Sequence, residues 1–210
     1  AYGSAGERCM AISVAVAIGD SADKLIENIT PKINDIKVGP YNDKSSDMGP
    51  VVSKDAFDRI NGLIDSGIEE GANLVVDRRD IKLQGYENGY FIGPCLFDNV
   101  KSNMKIYKEE IFGPVLSIVR AENYEEGLKL LKNNPYGNGC SIFTRDGDTA
   151  RNFSSEANIG MVGINIPIPV PVAAFSFGGW KNSIFGGHNA FGMEAIRFYT
   201  HTKTITSKWP

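Results

Sequence analysis

Two kinds of side chain in this sequence could make or break covalent bonds: the thiols of Cys9, Cys95 and Cys140, and the neighbouring carboxylates of Glu109 and Glu110. Cys9 stands in Gly6-Glu7-Arg8-Cys9-Met10-Ala11, where a glycine-containing turn runs into what reads as a first helical turn. A thiol at a helix N-terminus beside a guanidinium has its thiolate favoured by two positive fields, and the thiolate is the nucleophilic form. Against that stands the ordinary fate of a cysteine, which is to pack as a small buried hydrophobe. Cys95 in Gly93-Pro94-Cys95 and Cys140 in an apolar run fit that second description better. With His188 and His201 the only histidines, a Cys–His pair is not an easy reading.

The acidic pair precedes an aromatic and a Gly-Pro turn in Lys108-Glu109-Glu110-Ile111-Phe112-Gly113-Pro114-Val115. Such carboxylates serve acid–base work or accept sugar hydroxyls, and they also occur simply as solvated turns. Gly178-Gly179-Trp180-Lys181-Asn182-Ser183 lacks the Gly-Lys-Ser/Thr ending of a phosphate loop and reads instead as a structural or substrate-facing loop.

The elements that must hold these groups follow from pattern. Val14–Gly19 is a short apolar run closed by glycine, a buried strand. Asp20 to Asp23 opens a helix with Leu25, Ile26, Ile29 and Ile33 on one face, although it contains Pro31. Asn42–Met48 is a polar turn region. Ser53 caps a second helix reaching Ala72, with Phe57, Ile60, Leu63, Ile64 and Ile68 on its apolar side. Strands are expected at Leu74–Val76, Tyr90–Ile92, Val115–Val119, Cys140–Phe143 and Met161–Ile164, and helices at Tyr124–Asn133 and Asp148–Ala157. Lys101–Phe112 and the Pro-, Gly- and Phe-rich stretch 167–192 are expected to be irregular. Phe198–Thr206 alternates β-branched and aromatic residues and reads as a late strand. Helices alternating with short apolar strands predict an α/β fold: a mostly parallel sheet with helices on both faces.

Composition narrows the function. With 22 basic against 25 acidic residues, a formal charge of −3 and scattered basic side chains, neither nucleic acid nor a membrane surface is indicated as a partner. No run approaches the ~20 apolar residues of a membrane span. Three cysteines without metal-type spacing fit a reducing compartment, cytoplasmic or mitochondrial, and argue against a zinc site. The opening at Ala1, with no initiator Met and no signal-like segment, suggests a piece of something longer.

Taken in order, five segments resemble the aldehyde dehydrogenase superfamily over nearly the whole chain: Gly6–Cys9, Asp47–Ser53, Glu109–Val115, Asn134–Gly137 and Phe177–Gly179. Within it, Arg8–Ala11, Asn165–Pro171, Phe198–Thr200 and Lys203–Ser207 are most similar to the CoA-acylating methylmalonate-semialdehyde branch. Two departures are Glu7, where that branch commonly carries Gln, and the loop Gly179–Asn182, which is closer to the general superfamily form.

This resemblance implies a catalytic domain over 1–192, a C-terminal segment over 193–210 carrying an oligomerisation strand, and an NAD-binding domain upstream of this chain. It implies Cys9 as nucleophile, with its backbone N–H donating to the oxyanion. It further implies Glu110 on the nicotinamide ribose, Phe112 against the cofactor, and Phe177 and Arg8 at the substrate. The implied reaction oxidises methylmalonate or malonate semialdehyde with NAD, passes the acyl group from a Cys9 thioester to CoA, and loses CO2. A homo-oligomer, dimer or tetramer, is the implied assembly, and the 210 residues alone are expected to lack turnover. Two alternatives stand beside this reading: a non-catalytic oligomerisation or binding module, and a hydrolytic aldehyde dehydrogenase releasing a free acid.

Overall fold

The computed structural model describes all 210 residues, which divide into two compact units, Ala1–Leu130 and Leu131–Pro210. The first unit is built on strands β1 (Val14–Ile18), β2 (Asn73–Val76), β3 (Cys95–Asp98) and β4 (Val115–Ala121), in the spatial order β1-β4-β3-β2. The pairs β1–β4 and β4–β3 are parallel, and β2 joins β3 antiparallel at the edge. Alternation along β4 divides the core. Val115 and Val119 pack in one cluster with Ile60, Leu63 and Ile64 of helix α2 (Lys54–Glu69), while Leu116 and Ile118 pack in a second cluster with Ala22 and Ile33 of helix α1 (Ser21–Asp35). Successive strand residues point to opposite faces, so one seven-residue strand serves both layers. The expected mostly parallel sheet with helices on both faces is what forms.

Local signals account for the helices. Ser53 Oγ accepts the Ala56 N–H at 3.1 Å, satisfying one of the otherwise orphan donors at the start of α2. That helix stops at Glu69, short of the expected Ala72, because Gly71 turns the chain at φ 91°. Pro31 is accommodated within α1, which runs to Asp35.

Three expectations in this unit need correction. Val14–Ile18 is a strand, but it pairs on one side only, so Val16 and Ile18 remain about 40% exposed. Tyr90–Ile92 is not a strand; the ladder is made by Cys95–Asp98, all four buried, just after Gly93-Pro94. Within Lys101–Phe112 a single short helix, α3 (Lys105–Lys108), seats Ile106 in the core.

Helix α4 (Tyr124–Asn133) leads into the second unit. There β5 (Tyr136–Gly137) pairs antiparallel with β8 (Trp180–Lys181), and β6 (Gly139–Ile142) pairs parallel with β7 (Met161–Ile164). Helix α5 (Gly147–Glu156) is capped by Asp146, which accepts the Thr149 N–H, and buries Phe153. The Lys181 ammonium donates to the carbonyls of Leu131, Lys132 and Asn134 at 2.9–3.2 Å, placing a cation on carbonyls that the end of α4 leaves unsatisfied. The stretch 167–192 is irregular apart from β8, as expected. The late strand is not formed. Phe198 and Tyr199 instead close helix α6 (Gly192–Tyr199), and Thr200–Pro210 is exposed and pairs with no strand of this chain. A strand exists only where a neighbour supplies its ladder, and α6 carries the dipole-matching Glu194 and Arg197 at its two ends. No helix is long and apolar enough to cross a membrane.

Candidate active site

The segment that carries Cys9 is anchored before the cysteine is reached. Tyr2 donates its hydroxyl to the Cys95 carbonyl at 3.0 Å, and Ala5 is buried in the α2-side core. Ser4, Ala5 and Gly6 then all take positive φ, the last at 71°. Only glycine fits at position 6, because a Cβ there would stand 2.0 Å from the Gly113 carbonyl oxygen. Gly113 is constrained in turn: a Cβ on it would come within 2.7 Å of the Ile60 side chain. The chain around the cysteine therefore rests on the acidic loop, and the acidic loop rests on α2.

From this support the chain makes a turn, with the Ala11 N–H donating to the Arg8 carbonyl at 3.0 Å, and Cys9 lies exposed within it. The expected helix N-terminus is absent; the first helix after Cys9 is α1, beyond β1. Arg8 is exposed and uses Nε to donate to Ser4 Oγ at 2.8 Å.

Of the other two thiols, Cys95 is buried and Cys140 half-buried. Burial pushes Cys95 up to about 12, with Asp77 beside it adding to the shift, and pushes Cys140 up to about 11. Both are held as thiols at neutral pH, and no disulfide joins any pair of the three cysteines.

Glu110 and Phe112 project from the loop on which Gly6 rests. Between them Ile111 is buried, and Arg59 of α2 donates through Nη1 to the Glu110 and Ile111 carbonyls at 3.2 and 2.7 Å. Those contacts use backbone and leave the Glu110 carboxylate out of the clamp, on an exposed residue. Phe112 has φ 47°, an uncommon conformation for a residue with a side chain, and the residue is 36% exposed. Sequence reasoning named Cys9, Arg8, Glu110 and Phe112, and the first unit brings their segments together. It did not name Arg59, and it noted Glu7 only as a departure from the branch pattern. Arg59 looks like any exposed helix residue by periodicity. Glu7 had one signal, an acidic side chain between the glycine and the cysteine.

Phe177 belongs to the second unit. Its ring packs on Phe191 with centroids 5.3 Å apart, and its carbonyl accepts the Ala190 N–H at 2.9 Å. Gly178 beside it is pressed against Asn189, so the segments 177–178 and 189–191 form one local clasp.

A family model described as the aldehyde dehydrogenase family matches residues 1–205. The chain belongs to that family. It is 54% identical over 211 residues to the malonate-semialdehyde dehydrogenase of Pseudomonas aeruginosa, aligning all of this chain with 42% of that protein. It is 47% identical over 209 residues to the human mitochondrial methylmalonate-semialdehyde/malonate-semialdehyde dehydrogenase (acylating), again over its full length and 39% of the relative. Among solved structures it is similar to a Sinorhizobium meliloti protein provisionally named methylmalonate-semialdehyde dehydrogenase and crystallised with NAD. There the TM-score is 0.98 and the identity 64%, over all of this chain and 43% of that one. This aldehyde dehydrogenase chain thus spans about two fifths of the length of these relatives.

Proposed function

We propose that this chain is the nucleophile-bearing part of an NAD-dependent, CoA-acylating dehydrogenase for malonate or methylmalonate semialdehyde, with Cys9 as the nucleophile. The observation that carries the reading is the contrast among the thiols: Cys9 is exposed on a turn locked against the Glu110–Phe112 loop, while Cys95 is buried, Cys140 is half-buried, and both are held protonated. The names of the relatives support the substrate class and the acylating outcome.

In this mechanism the Cys9 thiolate adds to the aldehyde carbon and the carbonyl pair moves to oxygen. Departure of hydride from that carbon leaves a thioester on Cys9. NAD, when bound, supplies the acceptor for the hydride. The thiol of CoA gives up its proton and displaces Cys9 as the leaving thiolate; loss of the β-carboxylate as CO2 leaves its electron pair on the adjacent carbon, which takes up a proton to give the short acyl-CoA. Arg8 keeps donors beyond the one on Ser4, and an exposed guanidinium next to the nucleophile suits a substrate that carries a carboxylate. The loop residues fit a dinucleotide: Glu110 presents an exposed carboxylate able to accept ribose hydroxyls, and Phe112 presents a ring from the same pinned loop. Phe177, held by Phe191, lines the substrate path in this reading. The domain division proposed with it is 1–192 as catalytic domain and 193–210 as the segment that pairs with a second subunit. Thr200–Pro210 suits that role as an exposed, unpaired tail.

The test is the dependence of NADH formation on CoA in the full-length enzyme that contains this chain, with mass analysis of the product. CoA-dependent turnover giving acetyl- or propionyl-CoA is expected. Turnover without CoA, releasing a free acid, would assign the chain to the hydrolytic class instead.

A further inference from the structure

Glu7 lies two residues before Cys9, and its side chain turns inward rather than into solvent. Oε2 accepts the Val52 backbone N–H at 2.9 Å, while Oε1 is buried without any hydrogen-bond donor. The charge facing the carboxylate is the Arg59 guanidinium of α2, the same group that holds the Glu110 and Ile111 carbonyls. Burial lifts the Glu7 carboxyl above its ordinary range, opposed by the Val52 N–H and by Arg59. A carboxylate with one satisfied and one orphaned oxygen is not a favourable element of a fold on its own account.

Its position explains what it does. Gly6 abuts Gly113 on one side of Glu7, and Cys9 follows on the other. Val52 belongs to the loop that leads into the Ser53 cap of α2, and Val51 within it is buried. Segments 6–9, 51–53 and 109–113 therefore converge on one carboxylate and one guanidinium. Arg59 and the packing of Gly113 on Ile60 fix the acidic loop to α2, and Tyr2, Ala5 and Gly6 fix the approach to the cysteine. The side-chain bond recorded between the Cys9 segment and the loop before α2 is that of Glu7.

We propose that Glu7 is a positioning residue for Cys9, bracing the nucleophile's turn through the Val52 N–H and the Arg59 side. The proposal rests on Cys9 being the nucleophile. Glu7 is not a proton carrier in this account; its carboxylate oxygen is an anchor, and the anchor needs an acceptor atom rather than a charge.

The experiment measures kcat and KM of the full-length enzyme as wild type, Cys9→Ser, Glu7→Ala and Glu7→Gln, together with hydrogen exchange at the Val52 amide. A charge-assisted hydrogen bond lost from a brace that acts in the transition state lowers kcat in Glu7→Ala by about tenfold or more, with KM changed less than about threefold. Exchange at Val52 speeds by a similar factor. Glu7→Gln keeps an oxygen that accepts the Val52 N–H, and restores kcat and protection to within about threefold of wild type. Full kcat in Glu7→Ala, or a Glu7→Gln variant as impaired as Glu7→Ala, overturns the proposal. Should Glu7→Ala fail to fold, Glu7→Gln decides alone: near-wild-type kcat and Val52 protection support the brace, and a kcat below about a tenth of wild type overturns it. Retained turnover in Cys9→Ser would remove the nucleophile assignment itself, a failure that the Glu7 variants cannot produce.

Discussion

In the first unit, apolar side chains fill both sides of a four-stranded sheet, and Ile60, Ile64, Ile92, Leu96, Phe97 and Ile118 are wholly enclosed. In the second unit only Phe153, Ala157, Ile159 and Met161 are buried among the apolar side chains, and α6 buries none of its residues. The same chain thus builds one region around a core and another around local clasps: Lys181 on the end of α4, and Phe177 on Phe191. Cys9, Glu110 and Phe112 stand on the region with the core. Their geometry is set by backbone contacts that lead into that core within one or two residues, whereas Phe177 is set by its immediate neighbours.

The strongest way to break this account is at the close contact beneath the nucleophile. Gly6→Ala should destabilise the chain by about 3–5 kcal/mol or leave it insoluble, because a Cβ at position 6 has no space and the backbone there is left-handed. Gly85→Ala shares the positive φ, but nothing lies within 4 Å of its Cβ, so it should cost about 1 kcal/mol. Urea denaturation of the pair separates steric collision from conformational strain, and equal losses would contradict the docking of Gly6 on Gly113.

The contrast between the units is sharpened by truncating one phenylalanine in each. Phe97→Ala should cost about 3–5 kcal/mol, and Phe198→Ala, at a residue 58% exposed in α6, about 0.5 kcal/mol or less. A large loss from Phe198→Ala would mean that α6 is covered in solution. At alkaline pH the first unit should weaken through Cys95. Its thiol ionises near 9 in the unfolded chain but near 12 when folded, so its contribution is full below pH 9 and is lost as pH rises toward 12. Cys95→Ala should flatten that decline in a pH series of melting temperatures. At the α2 cap, Ser53→Ala should cost about 1 kcal/mol.

What could be read from the sequence follows the same division. Helices α1, α2, α4 and α5 and strands β1, β4 and β7 carry their own signals of period, cap or terminating glycine, and each formed within a few residues of its expected place. Strand β3 was hidden because four residues after a Gly-Pro pair carry too little pattern, and their burial comes from neighbours on both sides. The tail from Thr200 forms no ladder within this chain, because alternation describes the capacity to pair, not the presence of a partner. At the site, residue types raised Cys9 and the Glu109–Glu110 pair as candidates, and the family resemblance singled out Cys9 and Glu110. The collision of Gly6 with Gly113, the Arg59 clamp and the inward turn of Glu7 are contacts between segments about 45 to 107 residues apart, and no local spacing encodes them.

The central claim, that Cys9 is the reactive thiol, is tested most directly by brief treatment of the native chain with a limiting thiol electrophile at neutral pH, followed by intact mass and peptide mapping. A single adduct placed on Cys9, with Cys95 and Cys140 unmodified until the chain is denatured, is the predicted result. Labelling spread evenly over the three cysteines, or concentrated on Cys95 or Cys140, would contradict it.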